Sequence, residues 1–349
     1  MALDFSNIKE FSINGTDIKS IDINNVRVWE KPSANIDWFY IENIDSSPAT
    51  IQIAKSNSNA PTLAMQYSTD QRTWTSAGSY ISNKLTFNIP ATTKMYFRCK
   101  TNSWSKVVTS SSSTNIYYNQ FTGNYNIKVG GNIMSLLYGS DFTGNETSFP
   151  DTSLTHIFYC LFKDLMRLTN AGDLKLPASR VTSFSYQYLF SGCSNMTAAP
   201  ALPALTVGQY GYGRLFEGCQ ALTVAPDIQA TTLDGANSFN NMFYNCINLE
   251  RGPEIMVTDI TKALNGFSTM FYACKKLNYI KVHFTQWGSS SYAPCKNWTR
   301  LMANTNGTFV CPTGLPAYYN ASGNNTTTSG YTLSGYCNAI PYGWTVQRY

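Results

Sequence analysis

Between residues 158 and 277 the chain repeats itself. Phe190-Ser-Gly-Cys193, Phe216-Glu-Gly-Cys219, Phe243-Tyr-Asn-Cys246 and Phe271-Tyr-Ala-Cys274 follow one another at steps of 26, 27 and 28 residues. Phe162 precedes Phe190 by 28, with Leu165 in the cysteine slot. Four residues before each Phe stands an aromatic: Phe158, Tyr186, Tyr212, Phe239 or Phe267. Immediately before it stands Leu161, Leu189, Leu215, Met242 or Met270, and six residues after it Leu168, Met196, Leu222, Leu249 or Leu277. Ten residues after the Phe, three repeats carry Pro200, Pro226 and Pro253. A segment this short cannot bury an apolar side alone, whereas stacked copies build a continuous core. The i, i+3, i+4 spacing of aromatic, Leu/Met and Phe predicts a short helical turn with all three on one face. The proline then favours an extended path. Each repeat is therefore expected to supply one short strand and one helical or irregular return.

The repeated cysteines read as inert core, because a small buried thiol packs as a hydrophobe. Disulfides between rungs and metal binding are the competing readings. The latter lacks further ligands near each thiol. The chain has nine cysteines, an odd number with no Cys-x-x-Cys pair, so no complete intrachain disulfide framework and no zinc ribbon is expected.

These columns resemble the BspA-like leucine-rich repeats of bacterial surface proteins and phage proteins, notably of gut Bacteroidetes. Leu189-Phe-Ser-Gly-Cys-Ser-Asn-Met196 with Ala199-Pro-Ala-Leu-Pro203 is close to the family's run, and Met242 to Leu249 and Met270 to Leu277 match it too. The resemblance covers residues 131 to 284. The Phe162 repeat departs from it as a terminal repeat would. Ile340-Pro-Tyr-Gly-Trp-Thr-Val346 looks like a terminal signature of such proteins. The resemblance implies an adhesive or structural role and no catalytic residue.

Upstream, Phe11 to Trp29 looks like the short β-hairpin modules of phage tail proteins. Its β-branched runs are broken by Asn14-Gly15 and Asn24-Asn25. Residues 1–32 are expected to form this anchoring module. Residues 35–112 are expected to form a small β-sandwich-like domain with strands at 36–42, 49–54, 63–68, 84–89, 94–99 and 104–109. Tyr67-Ser-Thr-Asp-Gln-Arg-Thr-Trp74 resembles an Asp-box hairpin with Arg72 where glycine is usual, and reads as a structural turn. The repeats would occupy 113–284 and a C-terminal cap 285–349. The expected fold class is mostly β with short helices, ending in a leucine-rich-repeat-like solenoid.

Composition narrows function. Only 13% of residues are charged, against about 25% in ordinary soluble domains, while aromatics reach 14% with 23 Tyr and 7 Trp. Such a surface relies on neutral hydrogen-bonding groups and aromatic edges. The net charge of +5 comes without a dense Lys/Arg run, so nucleic-acid binding is not expected. The opening MALDFSNIKEFSINGTD lacks signal-peptide organisation, and no apolar stretch is long enough to cross a membrane. The two histidines, His156 and His283, flank the repeats, and no HExxH, GxSxG or GxGxxG is present. Asp141, Glu146, Asp151 and Asp173 are the carboxylates weighed for glycoside hydrolysis, with nothing to select them. The expectation is a non-catalytic virion protein, a tail or head fibre component exposed outside the cell. It would need no cofactor or metal, contact other virion proteins through its N-terminal module and form a homo-oligomer. A cell-surface adhesin and a phage-borne glycan hydrolase are the alternatives. Tyr210 and Trp287 are the candidate contacts for a host-surface carbohydrate. Phe162, Phe190, Cys193, Phe216, Cys219, Phe243, Cys246, Phe271 and Cys274 are the expected structural core.

Overall fold

In the computed structural model the repeats become hydrogen-bonded neighbours. The amides of His156, Phe158, Cys160, Phe162 and Asp164 donate to the carbonyls of Ser183, Ser185, Gln187, Leu189 and Ser191. The same alternate positions of the Phe190, Phe216, Phe243 and Phe271 repeats donate to the repeat that follows each. The amides between them turn back three residues, as Leu161 does to Phe158 and Lys163 to Cys160. This alternation is incompatible with an α-helix, in which every amide bonds four residues back. The expected helical turn is accordingly replaced by a run of tight turns. Among the described residues the one α-helical segment is Ser135–Tyr138, followed by a 3-10 turn, Gly139–Asp141.

The structure describes residues 12–13, 16–17, 20–23, 26–30, 36–109, 114–288, 291–302, 306–319 and 340–349, the first four segments as backbone only. Cys337 and Tyr336 lie outside them. The chain divides into two compact units, Met1–Asp37 and Trp38–Tyr349. In the first, Ser12–Ile13 pairs antiparallel with Thr16–Asp17, and Ser20–Ile23 with Val26–Glu30.

The second unit is mostly β, with mixed and parallel sheets. A six-stranded sheet runs in the order Leu168–Lys175, Ile127–Asn132, Tyr40–Asn43, Lys94–Cys99, Met65–Ser68, Thr75–Ser76. A four-stranded sheet runs Ser105–Thr109, Thr114–Thr122, Ala49–Lys55, Lys84–Ile89. Alternation dictates these strands: Lys84–Ile89 and Lys94–Cys99 bury every second residue. Phe39 and Phe97 of one sheet meet Phe87 and Phe121 of the other at ring distances of 5.1 to 5.9 Å. Thr114–Thr122 and Ile127–Asn132, which precede the repeats, are hydrogen-bonded into these sheets. The Asp-box segment is a turn joining Met65–Ser68 to Thr75–Ser76. Asp70 Oδ1 accepts the amides of Arg72 (2.8 Å) and Thr73 (2.7 Å), which hold its carboxyl well below the usual range.

Parallel pairing carries the repeats onward through Arg180–Val181, Thr206–Gly208 and Thr232–Asp234. On the other side of the repeats it runs through Arg251–Ile255, Tyr279–Val282, Thr308–Cys311 and Thr345–Arg348. The Phe243 repeat thus supplies a strand on either side of its turns, while the Phe190 and Phe216 repeats contribute isolated bridges at Ala198, Leu202, Val224 and Ile228 on the second side. Pro253 sits where the Arg251–Ile255 register slips, a place that needs no donor from it. The register also runs past residue 284. The Phe267, Thr269, Phe271 and Ala273 amides donate to Pro294, Lys296, Trp298 and Arg300, so residues 291–302 form a further turn run.

Inside, the ladder phenylalanines stack at 5.4 to 5.8 Å with planes within 14° from Phe162 through Phe190, Phe216 and Phe243 to Phe271. All five are fully buried, as are Cys193, Cys219, Cys246 and Cys274. The cysteines do more than fill space. Each thiol donates to the carbonyl of the preceding ladder Phe: Cys193 to Phe162 (3.1 Å), Cys219 to Phe190 (3.2 Å), Cys246 to Phe216 (3.0 Å), Cys274 to Phe243 (3.1 Å). The Phe162 repeat follows a strand rather than another turn run, and Leu165 takes its slot. All eight described cysteines are buried, and Cys99, Cys160, Cys193, Cys219, Cys246, Cys274 and Cys311 carry free thiols. Burial pushes the Cys246 thiol up to about 12, so it stays a protonated donor at neutral pH.

Replacing Cys246 by Ala removes both packing and donor and should cost about 1–2 kcal/mol in urea unfolding. Cys246→Ser, which keeps the donor, should lie nearer the parent than Ala does. The reverse order would show that the thiol acts by volume alone.

Candidate functional site

The turn runs have a four-residue rhythm that determines what they show to solvent. Six before, two before and two after each ladder Phe, the backbone has positive φ. In the first three repeats these positions are His156, Cys160 and Asp164; Phe184, Tyr188 and Gly192; Tyr210, Arg214 and Gly218. In the next two they are Asn237, Asn241 and Asn245; Asn265, Thr269 and Ala273. Residues other than Gly and Asn take this conformation at a cost of about 1 kcal/mol or more. The amides of these same residues make the bonds between repeats, which offset that cost. Gly192 and Gly218 occupy it without strain.

Three rings of the first column stack. His156 lies 4.4 Å from Phe184 at 6°, and Phe184 lies 5.3 Å from Tyr210 at 19°. Beside them runs an edge-to-face series, Tyr118 to Tyr159 (5.5 Å) and Tyr159 to Tyr188 (5.6 Å), which ends in the Arg214 guanidinium 5.6 Å from the Tyr188 ring. Glu217 pairs with Arg214 at 2.9 Å. Further along, Tyr244 and Tyr272 stack at 4.7 Å. The result is a band of half-exposed aromatics, most of them tyrosines, that starts at the buried His156 ring and is flanked by the Arg214–Glu217 and Lys163–Asp164 pairs and by Arg300 over Tyr272. Tyr210, singled out from the sequence, belongs to this band and is half-exposed. Stacking occupies one face of its ring, which leaves its edge and hydroxyl as the groups a ligand would meet.

Trp287 is placed elsewhere. It is 5% exposed, its Nε1 donates to Pro316 O at 2.8 Å, and its ring packs against Phe284, Trp298 and Phe309. The strand Thr308–Cys311 continues the stack over it, so the indole is core and not a surface platform.

The four carboxylates are each engaged locally or exposed. Asp141 pairs with Lys100 at 2.6 Å, Glu146 accepts from Thr143 and Gly144, Asp151 accepts from Ser153, and Asp173 lies exposed on its strand. The fold gathers a different titratable group that the sequence reading passed over. On the parallel sheet, Glu254 Oε1 lies 2.8 Å from Lys281 Nζ and 2.7 Å from His283 Nε2. These bonds hold the Glu254 carboxyl below its usual range. Tyr349 adjoins them, its ring 5.5 Å from that of His283 and its hydroxyl on the Val282 carbonyl. The one available signal was spacing, since 254 and 281 differ by one repeat period.

Among the described residues, no three or more His, Cys, Asp and Glu side chains form a group that could hold a metal ion, and no helix is long and apolar enough to cross a membrane. His156 and His283 sit at opposite ends of the repeats. Burial lowers His156 to about 4, so it is neutral at pH 7.

That depression has a pH consequence. The unfolded chain binds the proton near pH 6.5 while the folded chain resists it to about 4. Stability is therefore lost as pH falls through this window, by up to about 3 kcal/mol. His156→Phe, which keeps the ring in a column where Phe184 already has the same backbone conformation, should flatten the decline in urea midpoint between pH 6.5 and 4. An unchanged decline would assign acid sensitivity to other groups.

Comparison with known proteins finds no family model, no curated protein and no solved structure that matches this chain.

Proposed function

We propose that this protein is a non-catalytic structural or appendage component of a phage particle, a part of a tail or head fibre. In this reading the stacked turn runs and their parallel strands form a BspA-like leucine-rich-repeat solenoid, the two sheets that precede them a β-sandwich-like domain, the C-terminal strands its cap, and residues 1–32 an anchoring module that contacts other virion proteins. The observation that carries the reading is the unbroken line of stacked rings from Phe39 through Phe121 and Phe162 to Phe271, closed by Trp298. Such a line lets each repeat lean on its neighbours, which suits a structural part. Fibres are symmetric assemblies, so several copies would stand together. The hydroxyl-edged aromatic band around Tyr210 supplies a surface for a host glycan, whose hydroxyls match phenol groups and whose C–H faces match ring edges. No cofactor enters this account.

Immunogold labelling of purified phage and of the producing cells tests it. The expected result is label at a fixed place on intact virions. Label confined to cell surfaces, with clean virions, would overturn it in favour of an adhesin. On host-surface polysaccharide, Tyr210→Ala should weaken retention about fivefold to tenfold. Ala273 already stands at an equivalent kind of turn position, so the variant should fold. Unchanged retention would remove the band as the contact.

A further inference from the structure

The second internal column holds Phe158, Tyr186, Tyr212, Phe239 and Phe267, all fully buried. The two tyrosines put hydroxyls where the other repeats have none, and neither hydroxyl has a hydrogen-bond partner among the described residues. An unpaired hydroxyl in a dry core costs about 1–3 kcal/mol, whereas phenylalanine at the same position costs nothing of the kind. The two rings are adjacent and nearly parallel, with centroids 5.9 Å apart and planes within 9°. The two phenol groups are close enough to act on each other electrostatically, Tyr212 adding to the burial that pushes the Tyr186 hydroxyl above its usual range. Leu205 N donates to Ser179 O and Thr231 N to Leu205 O, which puts Ala178, Ala204 and Ala230 in file, all buried. The Ala204 backbone faces the Tyr212 hydroxyl without closing a well-aligned bond.

We propose that one buried water bridges the hydroxyls of Tyr186 and Tyr212, with the Ala204 backbone as a third partner, and ties two successive repeats through the core. Three polar partners are what a buried water ordinarily takes. The bridge explains why tyrosine occurs at two consecutive rungs of a column that otherwise holds phenylalanine. It goes beyond the virion reading and stands or falls independently of it.

Tyr186→Phe, Tyr212→Phe and the double variant test the bridge in the full chain. Phenylalanine already occupies the column at Phe158, Phe239 and Phe267, so all three should fold. Each single variant should lower Tm by about 1–3 °C. The double variant should fall no further than the lower single, because removing either hydroxyl dismantles the same bridge. A crystal structure at about 1.5 Å should show a water peak within hydrogen-bond distance of both hydroxyls. A Tm that rises or holds in either single variant, losses that add in the double, or a high-resolution map with both hydroxyls resolved and no peak between them would overturn the proposal.

Discussion

Along each turn run, alternate amides point down the stack and donate to the next repeat, and everything else in the repeat region follows from that direction. A backbone can alternate in this way only if some residues adopt the left-handed conformation, and here one does so every fourth position. The two amide donors that lack positive φ fall at the aromatic and Phe columns. These are the positions whose side chains turn inward and stack. Most of the strained residues lie at or near the surface, with His156, Cys160 and Asn241 buried. Hydrogen bonding between repeats, ring stacking inside and the aromatic band outside are thus three views of one backbone rhythm. The thiol bonds from each cysteine to the preceding Phe carbonyl add a side-chain link that donates the opposite way, back to the preceding repeat.

A stack with this grammar has two raw ends, and the chain closes both with aromatic mass. At the start, Phe121 lies 5.6 Å from Phe162 at 17°, and its amide donates to Leu161 O. Trp104 donates its backbone amide to Ile157 O and its indole to Leu136 O. The β sheets therefore present to the first repeat the donors that a preceding repeat would have presented. At the other end, Trp298 takes the place of the Leu/Met column and tilts 57° across Phe271, while Thr299 falls in the Phe slot. The indole covers what the missing phenylalanine would have covered. Beyond it Trp287, Phe284 and Phe309 complete the cluster.

The repeat core was legible because its columns obey a simple period, and burial at Phe190 or Cys219 needs nothing but that period. Strands Lys84–Ile89 and Lys94–Cys99 were legible to the residue, since alternation there is clean. The turn rhythm was not read, because i, i+3, i+4 apolar spacing is shared by a helix and by this run of turns. The distinguishing signal lay in the other columns: glycine at 192 and 218, and asparagine at 237, 241, 245 and 265, residues suited to positive φ. Trp287 looked like a surface ring because it adjoins Gly288 and a Ser run, and nothing local announces the strand that later covers it. Glu254, Lys281 and His283 come together only through the register of two parallel strands, which no single stretch of sequence displays.

If the bonds between repeats are what holds the region together, residues 156–301 should open as one unit. Native-state hydrogen exchange measures this directly. The account predicts that the donor amides of all five turn runs, from His156 to Ala273, share one opening free energy near that of global unfolding. Turn runs that exchange independently, each at its own lower free energy, would contradict it.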